Sequence, residues 1–188
     1  MINNTIKRCA WVSEDPIYIA YHDNEWGIPL YDDQKLFELL ILEGVQAGLS
    51  WITVLKKREN YRIAFEKFNA KKIVRYDEAK IAELLTNPGI IRNRLKINAT
   101  VKNAHAYLEI KQHYPSFSEY IWQFVGDPIQ NKWKTSKEVP SQTDISDRMS
   151  KDLKQRGFTF VGSTICYAFM QASGMVNDHT LDCFCRRR

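Results

Sequence analysis

Apolar residues recur at helical spacing along most of this chain, and no segment alternates in the way a half-buried strand requires. The run Leu36-Phe37-Glu38-Leu39-Leu40-Ile41-Leu42 has the apolar density of a buried helix and predicts one over roughly 34–43. A second helix is predicted over 50–58 with Ser50 as its cap, then a short piece near 60–67. Asp77 caps a helix through Leu85, Asn87-Pro88-Gly89 makes a tight turn, and one amphipathic helix runs from Ile91 to about Gln112. Ser116 caps a helix to Val125, and the polar stretch 126–145, with its two prolines, is predicted as loop. A helix over 146–156 stops at Gly157, and an apolar helix from Val161 to Ser173 stops at Gly174. Residues 1–33, interrupted by Pro16, Gly27 and Pro29, are expected to be irregular. The pattern predicts an all-α unit with a helical core over about 34–175 and both chain ends packed onto it.

Length and composition narrow this picture. A chain of 188 residues, 44% hydrophobic and 12% aromatic, fits one domain with a real core. The net charge of +5 is compatible with an anionic partner without demanding one. No window approaches the roughly 20 apolar residues of a membrane helix, and the first residues lack the apolar centre of a signal peptide, so a cytoplasmic protein is expected. In that compartment Cys9, Cys166, Cys183 and Cys185 are thiols or metal ligands rather than disulfides.

Three stretches carry candidate chemistry. In the first, Glu43-Gly44-Val45-Gln46-Ala47-Gly48-Leu49-Ser50-Trp51, a carboxyl ends an apolar run and two glycines break the helical pattern before an indole. This suits a pocket wall beside a protruding loop, or equally a helix corner with Glu43 in solvent and Trp51 in the core. The second pairs Cys9 and His22 in the aromatic-rich arm with His179 and Cys183, four apart on one face of a helical turn. Two thiols and two imidazoles make a closed tetrahedral set for one structural Zn²⁺, with Cys185 as the rival ligand. Cys166 reads as core, His105 and His113 as surface. The third is the hairpin Leu85-Thr86-Asn87-Pro88-Gly89-Ile90-Ile91, followed by Arg92-Asn93-Arg94-Leu95-Lys96. Two helices joined by a glycine turn can offer backbone N–H groups to a phosphate, with the basic side chains adding Coulomb attraction. The runs Lys56-Lys57-Arg58 and Arg186-Arg187-Arg188 either extend that basic face or serve solubility.

Taken together, Arg8-Cys9-Ala10-Trp11, Tyr21-His22-Asp23-Asn24-Glu25-Trp26-Gly27, Leu42-Glu43-Gly44, Gln46-Ala47-Gly48-Leu49-Ser50-Trp51, Gly89-Ile90-Ile91-Arg92 and Asn177-Asp178-His179 resemble the 3-methyladenine DNA glycosylase I family. The resemblance runs from about Arg8 to Cys183. It implies a helix-hairpin-helix glycosylase with a zinc snap matching Cys9, His22, His179 and Cys183, over ends 8–33 and 176–185. It also implies hydrolytic removal of 3-methyladenine from alkylated double-stranded DNA. By the same resemblance Glu43 and Tyr21 hydrogen-bond the extruded base and Trp51 stacks on it. Trp11, Tyr18 and Trp26 complete the aromatic pocket, and Gln46, Gly48 and Leu49 lie near the gap left in the duplex. Gly89, Ile90, Arg92, Arg94 and Lys96 are the expected hairpin contacts to DNA. Leu95 stands where members often carry glycine, which bears on the hairpin, and Val45 where a second glutamine is common, which bears on the wedge.

The chemistry implied suits the residues. A base inside a duplex must be flipped into a pocket to be reached. A positively charged 3-methyladenine is already a good leaving group, and Trp and Tyr faces attract a cation by roughly 0.5–2 kcal/mol each. Glu43 acts in recognition or as a general base for water. No lysine is an obvious Schiff-base nucleophile, so hydrolysis without strand cleavage is expected, by a monomer. The competing readings are a non-catalytic zinc-stabilised DNA-binding module and a zinc hydrolase or deaminase. For the latter His22 has Glu25 nearby, but a Cys-x-x-Cys pair is missing.

Overall fold

The computed structural model describes residues 6–187, and among these the protein is mostly helical. Helix α2 (Asp33–Gln46) is the central element, packed by α3 (Trp51–Ala64), α6 (Arg94–His113), α7 (Phe117–Trp122) and α9 (Ser163–Ala172). Its apolar positions Leu36, Phe37, Leu40, Ile41 and Leu42 are all buried, as their near-continuous run requires. Asp32 caps its start by accepting from the Lys35 N–H at 2.8 Å. A helix surrounded in this way carries its last turn, and therefore Glu43, into the interior.

The arm is more regular than expected. Asp15 accepts from the Ile17 N–H and Pro16 occupies the first turn, so the proline starts α1 (Pro16–Asn24) instead of interrupting it. Beyond α1 the chain is tied down by Gly27 N–H donating to Gln171 O and Leu30 N–H to Ser173 O, both at 3.0 Å. Gly174 makes that crossing possible: a Cβ there would sit 2.2 Å from the Ile28 carbonyl carbon, and its φ is +71°.

Other boundaries shift for local reasons. Gly44 does not break α2; it lies inside the helix, where a Cβ would press on Phe160 at 3.1 Å, and only Gly48, at φ +78°, turns the chain. Ser50 sits at the start of α3, but its hydroxyl pairs with Thr53 Oγ at 2.7 Å instead of capping a backbone N–H. The piece expected near 60–67 is the end of α3 followed by a left-handed turn, Glu66–Phe68, whose Phe68 ring is buried. A further short helix, α4 (Ala70–Ile73), precedes α5 (Glu78–Thr86), which Asp77 caps as predicted. Asn93 caps α6, so that helix starts at Arg94 and not at Ile91. Segment 126–145 is not all loop. It contains β1 (Ile129–Gln130) and a 3-10 turn at Ser136–Glu138, and its end opens α8 (Asp144–Gln155). β1 pairs in parallel with β2 (Val176–Asn177), a two-residue ladder too short to leave an alternating pattern.

Candidate active site and metal cluster

Glu43 occupies the last turn of α2, 3% exposed, and no group among the described residues hydrogen-bonds its carboxyl. Burial pushes its pKa up to about 8, so the acid keeps its proton at neutral pH. A cation brought against it would stabilise the ionised form and release that proton. The corner reading, with Glu43 in solvent, is excluded by this burial.

The carboxyl borders a cavity of about 360 Å³, whose lining includes Trp11, Tyr18, Tyr21, Trp26, Gln46 and Trp51. All six expected base-binding residues are therefore in one place. Trp11 packs on Tyr18 and Trp26 with ring centres 5.1 and 5.0 Å apart, and Tyr21 packs on Trp51 at 5.4 Å. Burial, with the Glu43 charge second, raises the Tyr21 pKa well above its ordinary value, so Tyr21 remains a neutral O–H donor. Two further polar atoms in the lining, Trp51 Nε1 and Ser136 Oγ, are buried without a hydrogen-bond partner among the described residues.

The sequence did not point to the rest of the wall. Ser136, Val139 and Pro140 come from the segment before α8, Ala168 and Gln171 from α9, and Asp178 follows β2. Gln171 was detectable as a polar residue on an apolar helix, and Asp178 lies in a motif that the resemblance already used. The loop residues carried no signal. Next to the cavity, Gly48 is exposed and Leu49 is 37% exposed, so the turn after α2 protrudes. Val45, by contrast, is buried in the core and takes no part in that turn.

Cys9, His22, His179 and Cys183 converge, all four buried, with their ligand atoms within 4.8 Å of one another. Cys183 Sγ lies 3.4 Å from His22 Nε2 and 3.5 Å from His179 Nδ1, and Cys9 Sγ lies 3.5 Å from His179 Nδ1. Sulfur and nitrogen ligands around one tetrahedral zinc stand roughly 3.5 Å apart, so the set fits a metal ion. The outer ring nitrogens are also engaged: His22 Nδ1 with Asp23 Oδ1 at 2.7 Å, and His179 Nε2 with the Trp26 carbonyl at 3.1 Å. Such partners orient imidazoles toward a metal. Cys183 follows a turn, not a helix, with its N–H donating to Thr180 O at 2.9 Å. Cys185 is buried beside the His22 carbonyl and is not one of the four. Cys166 lies in the core, and His105 and His113 are exposed, as expected.

The hairpin joins α5 to α6, but its groups are largely occupied. Gly89 N–H donates to Asn87 Oδ1 at 2.8 Å, Ile90 N–H to Asn87 O at 3.5 Å, and Ile91 N–H to Tyr61 OH at 3.0 Å. Ile90 is buried. Lys96, expected on phosphate, is instead 9% exposed and donates to the Val45 and Ala47 carbonyls at 2.6 and 2.7 Å. It satisfies the open carbonyls at the end of α2. Arg94 pairs with Glu78 at 2.9 Å, while Arg92 is exposed. The run 56–58 is likewise used locally: Lys56 pairs with Asp15, Lys57 donates to Pro88 O and Arg58 pairs with Glu25. Of the last arginines, Arg186 donates to Gln130, and the side chains of the other two lie outside the described residues.

A helical scaffold thus holds an acid, unpartnered among the described residues, in an aromatic cavity. The chain belongs to the methyladenine glycosylase family, whose model matches residues 11–186. It is 54% identical over 181 residues to DNA-3-methyladenine glycosylase 1 of Escherichia coli, covering 96% of this chain and 97% of the relative. It is similar to a crystal structure of 3-methyladenine DNA glycosylase I at 55% identity and a TM-score of 0.94, covering 95% and 99% of the two chains. It is also similar to the structure of a variant 3-methyladenine DNA glycosylase I in complex with 3-methyladenine, at 40% identity and a TM-score of 0.93, over 96% and 98% of the two chains. Among the described residues no helix is long and apolar enough to cross a membrane.

Proposed function

We infer that this enzyme, a glycosidic-bond hydrolase of base-excision repair by its family, takes an extruded 3-methyladenine into the Glu43 cavity and releases it by hydrolysis. The observation that carries this reading is the buried, unpartnered carboxyl of Glu43 among aromatic rings. A neutral base gains little there. A cationic one supplies the counter-charge that Glu43 lacks and the faces of Tyr and Trp attract it. Trp51 stacks on the base, Tyr21 and Glu43 hydrogen-bond it, and Gln46, Gly48 and Leu49 face the gap it leaves. No lysine lines the cavity among the described residues, which supports hydrolysis without a Schiff base or strand cleavage.

The α5–α6 junction serves as the helix-hairpin-helix element. Its N–H groups are occupied as described, so the phosphate contact falls chiefly to Arg92 and to whatever opening the turn undergoes on DNA. Cys9, His22, His179 and Cys183 hold one structural zinc, which supplies folding free energy and leaves no open position for substrate. The protein acts as a single, monomeric unit with its ends joined at that site.

The test is chromatography of bases freed from methylated duplex DNA. The wild type is expected to release 3-methyladenine and leave 7-methylguanine in place, without nicking. Glu43→Gln is expected to lose on the order of 10²-fold in rate while staying folded. A folded, metal-loaded wild type that frees no base would instead support a non-catalytic DNA-binding module.

A further inference from the structure

Asp178 is 2% exposed and lines the same cavity as Glu43, but its surroundings are the reverse. Asn131 Nδ2 and Trp133 Nε1 donate to Oδ1 at 2.6 and 2.7 Å, and Tyr167 OH and Gln171 Nε2 donate to Oδ2 at 2.7 and 2.8 Å. Two carboxylate oxygens offer about four lone-pair directions, and all are taken. The indole of Trp133 can do nothing but donate. Asp178 therefore has no lone pair left for substrate or for an attacking water. Its four hydrogen-bond partners are all neutral groups, and no lysine or arginine lines the cavity among the described residues. What it offers the cavity is an uncompensated charge in a region of low dielectric.

We propose that Asp178 is a specificity-determining residue: its fixed negative charge, acting through space, makes the cavity favour positively charged N-alkylated purines over neutral bases of the same shape. This rests on reading the cavity as the base site. The burial of its charge is met by dipoles alone until a cationic base arrives, so the charge discriminates by what the base carries and not by what it touches. Glu43 makes the contact, and Asp178 sets the field.

Asp178→Asn separates charge from structure. The amide oxygen can keep Asn131 and Trp133, while the amide nitrogen can donate to Tyr167 OH and to the flipped carbonyl of Gln171. Two quantities are then compared with wild type: kcat/KM for 3-methyladenine release from methylated duplex DNA, and Kd for a duplex carrying 3-methyl-3-deazaadenine, an uncharged isostere. The expected result is a loss on the order of tenfold or more in kcat/KM with Kd unchanged. Equal losses in both would make Asp178 merely structural, and no loss in either would remove its charge from the account; each overturns the proposal. A wild type that binds neither probe would instead overturn the base-site reading. Should Asp178→Asn fail to fold, Gln171→Lys, which sets an ammonium against the same carboxylate, is read on the same pair and is expected to lose the same ratio.

Discussion

Tyr21 and His22 are neighbours in α1, and Asp178 and His179 are neighbours after β2, yet the first of each pair lines the cavity and the second joins the Cys/His cluster. The two regions share backbone and differ in satisfaction. In the cluster each imidazole has a partner on its outer nitrogen as well as thiols on its inner one. In the cavity Glu43, Trp51 Nε1 and Ser136 Oγ have no hydrogen-bond partner among the described residues. Polar groups closed on both sides hold a fold in place, whereas polar groups left open mark where something else binds. Asp178 shows that one wall can contain both kinds.

The largest effect expected from breaking this contrast is on the closed side. Removing the metal by chelation, or replacing Cys183 by Ser, is expected to cost on the order of 5 kcal/mol or more of folding stability. Because the arm carries Tyr21 as well as His22, binding of 3-methyladenine should disappear with it. Denaturant titration alongside metal analysis checks this; a chelated protein with an unchanged midpoint would show that the cluster holds no structural metal.

The open side gives a smaller effect with a definite sign. Native Glu43 keeps its proton up to about pH 8, while in the unfolded chain it loses it near its ordinary 4.5. Between these values the native state binds more protons, so stability falls as pH rises, by a few kcal/mol at most (~1.4 per unit of pKa). Glu43→Gln should flatten that decline and be the more stable protein at pH 8. Thermal unfolding of both from pH 5 to 8 measures it, and parallel curves would show that Glu43 is not buried without a partner.

Those two outcomes depend on which residues could be read from sequence. The central helix, the Asp77 cap, the stops at Gly157 and Gly174 and the four members of the Cys/His cluster were all legible, because apolar density, capping residues and ligand chemistry are local signals. Helix α1 was not, because Pro16 reads as a breaker until its position in the first turn is known. The cavity's aromatic residues were found in two separated stretches, but the wall from Ser136 to Pro140 was invisible. Its residues are chosen by where the chain returns, not by any periodicity. The basic residues carried the least local information: charge gives no warning that Lys96 donates to two carbonyls or that Arg94 pairs with Glu78.

The smallest effects separate those basic residues. Lys96→Met should destabilise the protein by about 1–3 kcal/mol, because the Val45 and Ala47 carbonyls lose their donor. It should leave the salt dependence of DNA binding unaltered. Arg92→Ala should do the opposite, leaving stability within about 0.5 kcal/mol and lowering the slope of log affinity against log salt by about one. Fluorescence anisotropy across a salt series distinguishes them, and a lowered slope for the Lys96 variant would return that lysine to the DNA interface.

The adjacency of the two sites also bears on how the protein is made. Tyr21 and His22 emerge before the residues that complete both sites, Asp178, His179 and Cys183, which come some 150 positions later. At ordinary elongation rates that interval is about ten to thirty seconds. Throughout it the nascent arm carries a thiol, an imidazole and several rings with neither their metal partners nor their wall in place. Cavity and clasp thus become complete only together, once the segment from Asp178 to Cys183 has emerged.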